Sequence, residues 1–302
     1  MKFTVSSMKL FNHLSSINRV INSKNTLPIL DCFLFKLQEG TLTITASDSE
    51  TTLVTSIEVD TSEEDGIIAI GAKTLLDALK EIPEQPITFD INLGNQEVIV
   101  HYQNGKYNLA GQAADEYPQS PALTGNITHL SLDTTILSDG MNRSIFAVEE
   151  DELHPIMNGI FFDITDQNIT MVASDGHKLV RYRIKNAHGE GSTSFILPKK
   201  PSGLLKNILA KGNNGEVKFD FDSHNVIITV GNSRMTCRQI EGRYPNYGAV
   251  IPANNPRKVI VDRQSLLGAL RRVSIFSLMS SCLIKLHIEQ NKIEVSAQDI
   301  NY

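Results

Sequence analysis

Apolar residues recur along this chain in two alternating rhythms, and each change of rhythm marks a new element. Phe3 and Val5 stand two apart, as on a strand with one buried face, and Leu10, Leu14, Ile17 and Ile21 then recur at helical spacing. FLFKL (33–37) and TLTITA (41–46) read as strands joined by the turn residues Glu39 and Gly40. A second helix over 73–81 turns Leu75, Leu76 and Leu79 inward and stops before Pro83. ITFDI (87–91), EVIVHY (97–102) and KYNLAG (106–111) follow as strands, with Asn104 and Gly105 as a hairpin turn. The unit is α+β, with two amphipathic helices on antiparallel sheet.

The unit then repeats. The segment from Leu27 aligns without a gap to the segment from His154, an offset of 127 residues. Pro28 falls on Pro155, Phe35 on Phe162, and Ala46, Ser47 and Asp48 on Ala173, Ser174 and Asp175. The same offset carries Tyr117 and Pro118 to Tyr244 and Pro245, so the copies share their length as well as their motif. A third copy opens at Val259, with Asp262 on Asp133 and Leu266 on Leu137, and its Ala297 and Asp299 echo Ala173 and Asp175. It stops at Tyr302 and is expected to be incomplete. The expected domains are 1–124, 125–254 and 255–302.

Charge divides along the same lines. The five expected helices (8–20, 73–81, 133–146, 199–211 and 262–276) hold twelve Lys and Arg against five acids, +7 within a chain of net −6. Strands and loops must therefore carry −13. A basic helical surface could face phosphates. Lys and Arg are also good helix formers that sit on solvated faces, and composition leaves both accounts open.

Several chemistries find no support. No phosphate-cradling glycine loop and no H-E-x-x-H motif occurs, and the eight His lack metal-ligand spacing. Cys32, Cys237 and Cys282 are odd in number and widely spaced, which suggests core thiols and neither a disulfide framework nor a zinc site. No apolar run has the length of a signal peptide or membrane span, so a cytoplasmic protein is expected. Ser174, Asp175 and His177 offer a nucleophile, an acid and a base, but residues this close on one turn rarely form a triad, and the first copy carries Glu50 at the His position.

MKFTV at Met1, TLPIL at Thr26, NGIFFD at Asn158, ASDGHKL at Ala173 and EGRYPNY at Glu241 together resemble the bacterial β sliding clamp family over the whole chain. The resemblance implies a DNA-clamp fold of three repeated domains, the third incomplete here. It implies a processivity factor with no catalytic role and no cofactor, whose full-length form is a head-to-tail homodimer with helices lining a hole around duplex DNA. Partners would be the DNA polymerase III catalytic subunit, the clamp loader and other clamp-motif proteins of repair and replication, with no membrane involved. By similarity, phosphates would face Lys24, Lys73, Arg143, Lys199, Lys200, Lys206, Arg271 and Arg272. A partner-peptide pocket would use Met157, Ser174, Gly176, His177, Lys178, Leu179, Pro245 and Val250, and would suit short motifs with Leu and Phe anchors. Gly248 and Ala249 stand where some clamps are basic, so a less charged rim is expected. The dimer contact would set Tyr107 and Leu109 against Ile275 and Phe276. Outside this family, a repeat scaffold with no DNA role is the alternative.

Overall fold

The computed structural model describes residues 1–22, 24–151, 153–189, 191–210, 215–277 and 282–298. Asp299 lies outside them, as do Lys211 and Tyr302. The first copy runs β1 (Lys2–Ser6), α1 (Ser7–Ile17), β2 (Cys32–Gln38), β3 (Thr41–Ser47), β4 (Thr51–Glu58), β5 (Thr61–Glu64), β6 (Gly66–Gly71), α2 (Ala72–Lys80), β7 (Pro86–Asn92), β8 (Glu97–Tyr102) and β9 (Gly105–Gln112). The second runs β10 (Thr128–Asp133), α3 (Thr134–Ser144), β11 (Gly159–Ile164), β12 (Ile169–Ser174), β13 (Leu179–Ile184), β14 (Thr193–Pro198), α4 (Lys199–Leu209), β15 (Glu216–Phe221), β16 (Asn225–Val230) and β17 (Ser233–Arg238). In each, a strand feeds a helix, a run of hairpins follows, and a second helix leads into three more strands.

Local chemistry sets the helix starts. Ser6 accepts the Lys9 amide at 3.3 Å to cap α1, and Asp133 accepts the Thr135 and Ile136 amides at 2.9 and 3.1 Å to cap α3. Leu10, Leu14 and Ile17 then bury one face of α1, and Leu137 and Met141 one face of α3. The aromatic packing repeats with the sequence. Phe35 and Phe89 pack at 6.1 Å in the first copy, and their counterparts Phe162 and Phe219 at 5.9 Å in the second.

The two copies share one sheet. β4 of the first pairs antiparallel with β17 of the second, from Thr51↔Cys237 to Thr55↔Ser233. One hydrophobic cluster runs through both, from Met1 to Cys237. Residues Met1–Pro245 accordingly form one compact unit.

Asn246–Tyr302 form a second unit, containing α5 (Tyr247–Val250), α6 (Arg263–Ser274) and a hairpin of β18 (Lys285–Glu289) and β19 (Lys292–Ser296). Asp262 caps α6 through the Ser265 amide at 2.8 Å, as Asp133 caps α3. Here the similarity to the earlier copies stops, because none of the described residues of this unit is buried. Val259 to Val261 correspond to the apolar stretches of β1 and β10, which pair with β7 and β15. No matching strand covers them among the described residues, and Ile260 is 87% exposed. The expectation of three core thiols fails at Cys282 for the same reason. Cys32 and Cys237 are buried, whereas Cys282 lies exposed in the unit without a core. Among the described residues no helix is long and apolar enough to cross a membrane.

Candidate functional site

The turn between β12 and β13 carries most of the expected pocket residues. Asp175 Oδ1 accepts the amides of His177 and Lys178 at 2.9 and 2.8 Å, which closes the turn, and Gly176 takes a positive φ of 82° that suits glycine. The Lys178 ammonium pairs with the other Asp175 oxygen. That bond, with the turn amides, holds the Asp175 carboxyl well below the usual carboxylate range. Ser174 Oγ donates to the Lys178 carbonyl at 2.9 Å. The hydroxyl is thus spent on its own turn, and among the described residues the His177 imidazole makes no hydrogen bond, so a nucleophile–base pair is not assembled. His177 and Lys178 are exposed, while Leu179, at the start of β13, is half-buried.

Beneath this turn lies Tyr244, which the sequence reading passed over in favour of its neighbour Pro245. Its ring stacks on Phe161 at 4.7 Å with planes 4° apart, and burial pushes its phenol up to about 12. The hydroxyl lies toward the Ser174 backbone without completing a hydrogen bond. In the first copy the matching Tyr117 completes two, to the carbonyls of Cys32 at 3.3 Å and Thr45 at 3.2 Å. A motif-level signal for Tyr244 existed, since the offset of 127 that found Pro245 also links the two tyrosines. Met157 is half-buried at the end of a short 3-10 turn, where its carbonyl accepts the Glu149 amide at 3.1 Å, and Pro245 is exposed. Val250 ends α5 in the other unit, on an exposed face. A cleft of about 460 Å³ opens between 193–196 and 239–242 and contains none of the expected pocket residues.

The cations expected to face phosphate fall into three groups. Lys24, Lys73, Arg271 and Arg272 are exposed and Lys206 half-buried, and none of them makes an ion pair among the described residues. Lys199 and Arg143 are engaged with carboxylates at the surface. Lys199 meets Glu150 at 2.6 Å, and Arg143 Nε lies 2.8 Å from both oxygens of Asp139. Arg143, with a hydrogen bond from the Tyr182 hydroxyl at 2.9 Å, holds Asp139 below the usual carboxylate range. Exposed pairs of this kind contribute little and exchange readily with a competing anion. Lys200 differs, with all of its donors turned onto the first copy.

The residues expected at a dimer contact also separate. Tyr107 and Leu109 are half-buried on β9, with Tyr107 against Tyr102 at 5.0 Å. β9 pairs with β8 along residues 105–110 but meets β6 only at Gly111 and Gln112, so among the described residues the opposite edge of 105–110 is open. Ile275 and Phe276, just past α6, are 76% and 68% exposed.

Comparison with known proteins gives this geometry its context. The family model for the DNA polymerase III beta subunit N-terminal domain matches residues 1–121, and that for the central domain matches residues 131–246. The beta sliding clamp of Synechococcus elongatus is 29% identical over 99% of this chain and 82% of its own length, and that of Escherichia coli is 24% identical over 99% and 81%. A sliding clamp structure from Pseudomonas aeruginosa, bound to griselimycin, shares the fold at a TM-score of 0.94, covering all of this chain and 81% of the other at 24% identity. A Bartonella birtlesii clamp, also bound to griselimycin, is 26% identical with a TM-score of 0.91 over 98% of this chain and 80% of the other. With two successive domain matches covering most of its length, the chain belongs to the DNA polymerase III beta subunit family, the bacterial sliding clamps that make the replicative polymerase processive.

Proposed function

We propose that this chain confers processivity as a three-domain subunit divided near residues 124 and 254, two copies of which join head to tail around duplex DNA. The observation that carries the reading is the seam between β4 and β17. β9 is the counterpart of β17 in the first copy, displaced by the same 127 residues, and its corresponding edge is open along 105–110. An open edge of this kind accepts another strand, and pairing removes the edge. A second chain that offers the equivalent of β4 would repeat, between chains, the join already made within one, and the residues just past α6, Ile275 and Phe276, would add an apolar contact to Tyr107 and Leu109.

Lys24, Lys73, Lys206, Arg271 and Arg272 then supply free positive charge to the duplex, and Arg143 and Lys199 can trade a surface carboxylate for phosphate. A closed ring needs only weak contacts of this kind, because topology prevents escape. The turn bearing Ser174, Gly176, His177, Lys178 and Leu179, with Met157 and Pro245, holds the Leu and Phe anchors of polymerase, loader and repair-protein motifs. The subunit itself performs no chemistry, and its place of action is the cytoplasm.

Retention on DNA tests this. A chain extended to the full length of its relatives, loaded on nicked circular DNA, should stay bound and should be lost when the circle is cut. Equal retention on circular and linear DNA would defeat the ring.

A further inference from the structure

Lys200 is the second residue of α4 in the second copy, yet its ammonium is spent on the first. It donates to the Val20 carbonyl and to Asn22 Oδ1, both at 2.6 Å, and it pairs with Asp48 Oδ2. An ammonium has three donors, and here each has an acceptor from the other copy. The Asp48 side chain is only 6% exposed. Its Oδ1 meanwhile accepts the amides of Glu50 and Thr51 at 3.0 and 2.7 Å, closing the turn between β3 and β4. Thr51 is also where β4 meets Cys237 of β17, so the contact sits at one end of the seam between the copies. Val20 and Asn22 lie just past α1. One side chain thus ties the start of α4 to both the helical layer and the sheet layer of its neighbour.

We propose that Lys200 is a positioning residue that fixes the angle between the first two copies, and that it is not a contact to DNA. The Lys200 side chain is 36% exposed, but losing it leaves the shielded Asp48 carboxylate poorly compensated, and losing the Asp48 charge removes one of the three acceptors of the ammonium. Lys206, on the same helix and without an ion pair among the described residues, provides the contrast. The inference rests on the clamp reading only for its statement about DNA, since the joint itself can be measured without any.

The test uses the full 302-residue chain with Cys282→Ser to remove the exposed thiol, and spin labels at Glu84→Cys and Gln167→Cys, exposed positions in the first and second copies. Pulsed electron resonance should give a single narrow distance in this background and in Lys206→Met. Lys200→Met and Asp48→Asn should each lose that narrow distance, and the double variant should be no broader than the worse single one. Asp48→Asn keeps Oδ1 for the turn amides, so it serves if Lys200→Met fails to fold. A second arm measures how binding to a short duplex falls with salt. Lys200→Met should leave the slope unchanged, whereas removing a phosphate contact lowers it by about 0.9. A narrow distance in Lys200→Met, or a lowered salt slope, overturns the proposal. An unchanged slope in Lys206→Met counts against the DNA assignment of Lys206 and leaves the joint untouched.

Discussion

Tyr117 and Tyr244 show how far one residue's role depends on its surroundings. They occupy equivalent positions, and burial raises both phenols. Tyr117 donates to two carbonyls, whereas the Tyr244 hydroxyl is buried without a completed bond, in a residue only 7% exposed. A buried hydroxyl contributes when it is paired and costs free energy when it is not. Tyr117→Phe should therefore destabilise by about 1 kcal/mol, and Tyr244→Phe should be neutral or stabilising. Urea unfolding of the two variants checks this, and equal losses would contradict the difference in their bonding. The repeat made these two positions legible in the sequence. Their difference was not legible, because the carbonyls that Tyr117 reaches, those of Cys32 and Thr45, lie 85 and 72 residues away along the chain. The two roles of Asp48 escaped the sequence for a similar reason, since its Lys200 partner is 152 residues away.

At the scale of elements, periodicity did most of the work. Helices expected at 8–20, 73–81, 133–146, 199–211 and 262–276 appear with ends shifted by a few residues, and the first finishes as a 3-10 turn, Asn18–Val20. β4 and β6 were missed, and so was β5, whose four residues are all exposed, so that no apolar alternation marks β5. It is held by pairing with β1 and by Lys2–Glu63 at 2.8 Å. The shared caps of α3 and α6 allow a comparison between the units. Asp133→Ala should cost about 1 kcal/mol in the main unfolding transition, because α3 packs on the core through Leu137 and Met141. Asp262→Ala removes the same bond from a helix with no buried residue, and should lower helical content without moving that transition. Calorimetry with circular dichroism separates the two effects. A shift of the main transition in Asp262→Ala would mean that α6 shares the stability of the first unit.

At the scale of the molecule, the repeat and the family motifs gave the number of copies and their order, but they did not show how neighbouring copies join. The seam strands are rich in buried Thr, at Thr51, Thr52, Thr55 and Thr236, and nothing in their pattern distinguishes a strand that meets another copy from one that meets its own. Once the seam is known, the open edge of β9 becomes a specific target. Gly111 donates its amide to the Gln96 carbonyl at 2.8 Å, and strand alternation therefore turns the Asn108 amide toward the open edge. Proline at an edge position removes an outward N–H without breaking the ladder on the other side. In a chain extended to the full length of its relatives, Asn108→Pro should fold normally yet remain a single copy by light scattering, and it should no longer stay on circular DNA. Asn108→Ala, which keeps the amide, should behave as the parent does. If Asn108→Pro still forms a stable pair of chains, the join between subunits runs through some other surface, and the equivalence drawn between β9 and β17 does not extend beyond a single chain.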